Sequence, residues 1–226
     1  MADTRVRVES LAWSVSTATG ASARLRRVAV KISWAAGLAV SYAAVDTIPP
    51  TSAREPHYAG IPASALPALP RNPVHVVLDN LRSAFNVGSI FRTADAGAAA
   101  HIHLCGMSAH PPHVKLEKTA LGAFEYVPWT YHERTTDVLE ELGREGIARI
   151  AIEVTPAAIP LQEFAWPKPA AIVFGNEVTG INERVLARCD AVVQIPMHGH
   201  KNSMNVATAF GIVLYHLLDR WKALGG

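Results

Sequence analysis

From Val74 onward, short apolar runs rich in β-branched residues alternate with helical patterns, and no other feature narrows the fold as much. Val74–Leu78 (VHVVL), His101 to Cys105, Ala148 to Val154, Ala170 to Phe174 and Ala191 to Ile195 read as strands. Helices are predicted from roughly Val87 to Ala98, around Leu116 to Leu121, over Thr136 to Glu145 and over Glu183 to Ala187. Runs this apolar suit strands buried on both faces, and the intervening helices supply the cover. The expected class is therefore α/β, a parallel sheet with helices on both faces. No internal repeat is visible.

The last strand runs into the stretch Ile195 to Leu218. A polar, glycine-bearing loop from Pro196 to Asn202 precedes a helix in which Val206, Phe210, Val213, Leu214, Leu217 and Leu218 fall on one face. Ser203 is placed at the helix N-cap, where its hydroxyl would accept from a free backbone N–H. Ser203 and Asn205 are polar groups at the mouth of an apolar helix, a place where small polar ligands often sit. A capped core helix with no ligand explains the same residues.

Length and composition bound the function. The chain has 226 residues, half of them hydrophobic and 18% charged, enough for one domain with a sizeable core plus an extension. Net charge is +2. Residues 1–70 carry 7 Lys/Arg against 4 Asp/Glu and the remainder 14 against 15, so a nucleic-acid partner of the core must be held by a local patch or a dimer surface. Residues 1–70 are rich in Ala, Ser, Thr and Pro, and 46–70 reads as an irregular linker. Val28 to Val45 is apolar, but it is short and contains Lys31, which argues against a membrane span, and it starts too late for an ordinary signal peptide. We read 1–70 as an extension of little order, or as the product of a start site set too far upstream, and 71–226 as the functional domain. Cys105 and Cys189 form no disulfide framework or metal spacing; they read as small core residues of a protein of the reducing cytoplasm.

Three loops follow strands at their carboxyl ends, where open α/β sheets bind ligands. The first carries Asn86, Gly88 and Arg92; its plain reading makes Asn86 a cap and Arg92 a solvated charge. The second, Phe174 to Gly180 (FGNEVTG), sets two glycines around Glu177 and is neither G-x-G-x-x-G nor a P-loop, which disfavours a dinucleotide or triphosphate site. The third is the loop before the last helix. No Ser-His-Asp or Cys-His arrangement is supported by spacing. The histidines, in pairs at 101/103, 110/113 and 198/200, lack the closed ligand set that zinc requires, so no metal is expected.

Taken together, NVGSIFRTADA (Asn86–Ala96), IVFGNEVTGI (Ile172–Ile181) and IPMHGHKNSMNVATAFGIVLY (Ile195–Tyr215) resemble, in order, the three signature motifs of the SpoU (TrmH-like) RNA 2′-O-ribose methyltransferases of the SPOUT superfamily. The resemblance covers about residues 72–222 and leaves 1–70 unexplained. It implies a C-terminal trefoil knot that forms the S-adenosylmethionine pocket, and a homodimer that completes the active site. Carried over by motif, Gly175, Ile195 and Met204 would lie against the cofactor, with Thr155 and Met197 as neighbours. Asn86, Arg92, Glu177, Ser203 and Asn205 would form the catalytic set. Where the family commonly has Ser-Leu-Asn this chain has Ser203-Met204-Asn205, a swap that keeps an apolar contact of similar volume. Arg92 is the family's proposed base. A guanidinium holds its proton too tightly for that role unaided, so Arg92 either takes the proton with help from an RNA phosphate or grips that phosphate. Arg82, His113, Lys115 and Lys118 are candidate contacts to the RNA backbone. The implied function is methyl transfer to a ribose 2′-hydroxyl of tRNA or rRNA, tRNA favoured, in the cytoplasm and away from membranes. The alternatives are a SPOUT base methyltransferase and a non-catalytic RNA-binding module; the five catalytic-type residues standing together argue against the latter.

Overall fold

A computed structural model of the chain describes residues 70–224 and two short strands, β1 (Ile32–Ser33) and β2 (Ala39–Val40). The chain divides into two units, Met1–Gly60 and Ile61–Gly226. In the first, β1 and β2 pair antiparallel, within the apolar run noted above. The extension and linker readings otherwise lie outside the described residues.

The second unit is built on one seven-stranded sheet in the order β5-β4-β3-β8-β6-β9-β7, with every pair parallel. Its strands are β3 (Asn72–Asp79), β4 (Ala99–Cys105), β5 (Trp129–His132), β6 (Ala148–Ile152), β7 (Ile159–Pro160), β8 (Ala170–Phe174) and β9 (Ala191–Gln194). Its helices are α1 (Ala84–Ala96), α2 (Val114–Ala120), α3 (Thr135–Arg144), α4 (Glu183–Leu186) and α5 (Val206–Arg220).

Alternation along the strands sorts the core into two layers. Val74, Val76 and Leu78 of β3 pack with α1, α2 and α5 on one face, where Ile90, Phe91, Phe210 and Leu214 are fully buried. Val77 points the other way, to a smaller cluster with Val138, Leu139 and Leu142 of α3 and Val185 of α4. Helices thus cover both faces, as the strand composition requires. β8 is buried at all five positions, consistent with its place in the middle of the sheet.

Several boundaries differ from the sequence reading, for local reasons. α1 begins at Ala84 rather than near Val87, because the Ser83 hydroxyl accepts from Asn86 N (3.3 Å) and caps it three residues early. β6 stops at Ile152 rather than Val154, where the Glu153 carboxylate takes the N–H of Val154 (2.9 Å). Ser203 does not cap the last helix. Asn205 does, its side-chain oxygen accepting from Ala207 N (2.9 Å) and Thr208 N (3.3 Å). The short edge strands β5 and β7 have no counterpart in the sequence reading. Pro160 in β7 is tolerated because an edge strand need not donate on its outer side.

Candidate active site

The carboxyl ends of β3, β6, β8 and β9 sit side by side in the sheet, and the loops leaving them surround a cavity of about 900 Å³. That volume suits a ligand of nucleoside or cofactor size.

Each loop is held by its own side chains. After β3, Asn80 takes a left-handed conformation (φ 57), a state that asparagine tolerates better than most residues. Its side-chain oxygen accepts from Met107 N (3.1 Å) and its carbonyl from the Asn176 amide (2.8 Å). After β8, the Asn176 side-chain oxygen accepts from Val178 N and Thr179 N, and its carbonyl from Gly180 N, which folds the loop back on itself. Gly175 is required here: a Cβ on it would stand 2.5 Å from the backbone of Gly180 and Ile181.

The loops meet at Asn86. Glu177 accepts from the backbone of Arg82 (2.9 Å) and Ser83 (3.2 Å) and from the Asn86 side-chain amide (3.1 Å). On its other side, the Asn86 oxygen accepts from the Asn205 amide (3.0 Å). Glu177, Asn86 and Asn205 therefore form one continuous polar contact, with a residue from each loop. Burial pulls the Glu177 carboxyl upward, but hydrogen bonds from the Arg82 backbone, its own backbone, the Asn86 side chain and the Ser83 backbone outweigh it. The group titrates below the ordinary glutamate range.

Of the ten site residues expected from sequence, eight line the cavity: Asn86, Glu177, Ser203 and Asn205 on the polar side, with Gly175, Ile195, Met197 and Met204. Two are not in its wall. Thr155 lies in the turn after β6, where its carbonyl accepts from Ala158 N, while its neighbours Glu153 and Val154 do line the cavity. Arg92 is exposed on α1, about 9 Å of helix rise beyond Asn86. Because Asn86 lies inside the first turn of α1 rather than before it, the two do not share a helix face. Arg82 lines the cavity; Lys115 and Lys118 are exposed on α2, and His113 stands at its N-cap position. Sequence reasoning missed Ser83, Asn176 and Glu153. Ser83 stands three residues before Asn86, and that spacing was a readable cap signal.

Both cysteines behave as core residues. Cys105 is buried and Cys189 half-buried, and burial pushes both thiols up to about 12. Among the described residues no group of His, Cys, Asp and Glu is placed to hold a metal ion, and no helix is long and apolar enough to cross a membrane.

A parallel α/β sheet whose central loops enclose a cofactor-sized cavity, with a junction of amides and a carboxylate at its edge, places a ligand-binding site where open α/β sheets carry one. The chain belongs to the SpoU rRNA Methylase family, whose sequence model matches residues 73–215. A Bacillus subtilis member of the TrmH tRNA/rRNA methyltransferase family is 29% identical over 153 residues, 68% of this chain and 61% of that protein. This chain thus spans less than two thirds of that relative's length. The tRNA (guanosine(18)-2′-O)-methyltransferase of Thermus thermophilus is 29% identical over 140 residues, 62% of this chain and 71% of that protein. In structure, the chain is similar to an AdoMet-bound rRNA methyltransferase from Sinorhizobium meliloti, with a TM-score of 0.62 at 25% identity, over 71% of this chain and 61% of that one.

Proposed function

We propose that this domain transfers a methyl group from S-adenosylmethionine to a ribose 2′-hydroxyl of a structured RNA, with tRNA favoured over rRNA. The observation that carries the reading is the junction at Asn86, which joins a catalytic-type amide and carboxylate set to the loop that walls a cofactor-sized cavity. The tRNA preference draws on the Thermus relative.

The cavity fits the cofactor. Gly175 brings bare backbone into the cavity wall, and Ile195, Met197 and Met204 offer apolar surface for an adenine ring. When bound, S-adenosylmethionine supplies an electrophilic methyl carbon on a sulfonium. The chain's part is to hold the ribose oxygen in line with that carbon and ease the loss of its proton. Glu177 fixes the Arg82–Ser83 turn and Asn86, and Asn205 fixes Asn86 from the other side, so the amide edge facing the ribose cannot drift. Ser203, exposed at the cavity edge, is free to turn its hydroxyl toward the sugar.

Arg92 grips an RNA phosphate, a role its exposed place on α1 favours over proton abstraction. A homodimer completes the site by bringing Arg92 of one copy to the cavity of the other. Phe85 on α1 (49% exposed) and Ile212 and Tyr215 on α5 (40% and 42%) offer apolar surface for that contact. We also read the C-terminal segment as knotted. β9 lies beyond β6 from β8, yet α5 returns to pack on α1, and the connecting loop shares a cavity wall with the Gly175–Ile181 loop.

The test is methyl incorporation from labelled S-adenosylmethionine into unmodified tRNA and, separately, rRNA, followed by nucleoside analysis. A 2′-O-methyl nucleoside in the tRNA pool is expected. Incorporation into a base would contradict the ribose assignment, and cofactor binding without incorporation would favour a binding module.

A further inference from the structure

We propose that Glu153 selects the charged cofactor over its spent form, an inference that rests on the S-adenosylmethionine reading above. Three charged side chains line the cavity: Arg82, Glu153 and Glu177. Glu177 is committed to the Asn86 junction through three donors. Glu153 sits elsewhere on the wall, at the end of β6. One of its carboxylate oxygens accepts from Val154 N (2.9 Å) and the other from Ile181 N (3.0 Å). The group is thereby fixed against the loop that closes at Gly180, where a Cβ would stand 2.5 Å from it. None of the ion pairs among the described residues involves Glu153. A half-buried carboxylate without a cation partner among the described residues, held rigid by two backbone N–H groups, gives the wall a fixed negative charge.

That charge distinguishes substrate from product. On transfer the methyl carbon bonds to the ribose oxygen and its bond to sulfur breaks. The electron pair stays on sulfur, and the hydroxyl proton leaves to solvent. The sulfonium cation becomes a neutral thioether, so S-adenosylhomocysteine carries one positive charge fewer than S-adenosylmethionine. A fixed carboxylate in the same cavity therefore favours the unspent cofactor and eases release of the spent one. At cavity distances and an intermediate dielectric the difference corresponds to a roughly fivefold to tenfold affinity ratio.

Calorimetry of both ligands on the wild-type protein and on Glu153→Gln tests this. The variant is expected to bind S-adenosylmethionine roughly fivefold to tenfold more weakly while S-adenosylhomocysteine affinity changes less than about twofold. A purely structural role for Glu153 would weaken both ligands alike, and that result, or no change in either, would overturn the proposal. Salt dependence on the wild type supplies a second reading that needs no variant. Between about 50 mM and about 500 mM salt, S-adenosylmethionine binding should weaken more than S-adenosylhomocysteine binding; parallel changes would count against the charge. A wild-type protein that binds neither ligand would overturn the cofactor reading itself.

Discussion

Asn86 and Asn205 each do two jobs, and the jobs can be separated. Asn205 caps α5 with its oxygen and donates to Asn86 with its nitrogen. Asn205→Asp keeps the capping oxygen and loses the donor; Asn205→Ala loses both. Thermal unfolding should show Asn205→Ala destabilised by about 1 kcal/mol and Asn205→Asp nearly unchanged, while methyl transfer falls in both. If the alanine variant alone lost activity, the link to Asn86 would have no catalytic part. Sequence placed both residues in the site but assigned the cap to Ser203. The two candidates stand two residues apart, and periodicity locates a helix start only to within a turn, so the choice waited for backbone geometry. Glu177 was legible as a carboxylate between glycines. Its hold on Arg82 and Ser83 was not, because those partners lie more than ninety residues away in the chain.

Between elements, α1 and α2 approach closely at Gly88, where an added Cβ would meet the Thr119 hydroxyl and stand 2.7 Å from the Leu116 carbonyl. The threonine can rotate away, but the helix backbone cannot. Gly88→Ala should cost about 1–3 kcal/mol by chemical denaturation, with the cavity residues untouched. In the sequence Gly88 is only a glycine of the first loop motif; the structure supplies the helix that packs against it.

The sheet also carries a feature that composition hid. His75, His101, His103 and His132, from three adjacent strands, lie on the face opposite Val76. His75 Nδ1 is 3.1 Å from His103 Nε2, and His103 Nδ1 is 3.3 Å from His132 Nε2, with Thr130 and Glu145 the other polar neighbours. Burial lowers all of the first three, His101 to about 4 and His103 to about 2, and neighbouring imidazoles reinforce the shift at His101 and His103. A histidine whose folded-state pKa lies below its unfolded value stays neutral in the fold, so unfolding takes up protons. The contribution of these histidines to stability is full above pH 6.5 and is lost as pH falls from there, through about 4 for His101 and toward about 2 for His103. The melting temperature should drop across that window, and His101→Gln should flatten the drop. A slope unchanged by the substitution would remove His101 as the cause. The alternation of His101 and His103 was visible in sequence, but their pairing with His75 and His132 depended on strand order.

Among the described residues, the α/β class, five of the seven strands of the large sheet and all five α-helices were legible, because long apolar runs and one-faced helices carry strong periodic signals. β5 and β7, four and two residues long, carry too little pattern to stand out. The proposed dimer is tested on the intact protein. Light scattering should give twice the chain mass, and Tyr215→Arg, placed in the exposed face of α5, should shift the protein toward monomer. A wild-type monomer that transfers methyl groups at the full rate would contradict the shared site.

On the proposed reading, one carboxylate, Glu177, couples the cofactor loop to the catalytic turn. The most direct measurement is the single-turnover rate of methyl transfer by Glu177→Gln at saturating S-adenosylmethionine and tRNA. A fall on the order of a hundredfold is expected, since a small misplacement of the reacting groups is enough to cause one. A rate within about twofold of wild type would contradict it, because the Asn86 junction would then hold its geometry without the charge that ties it together.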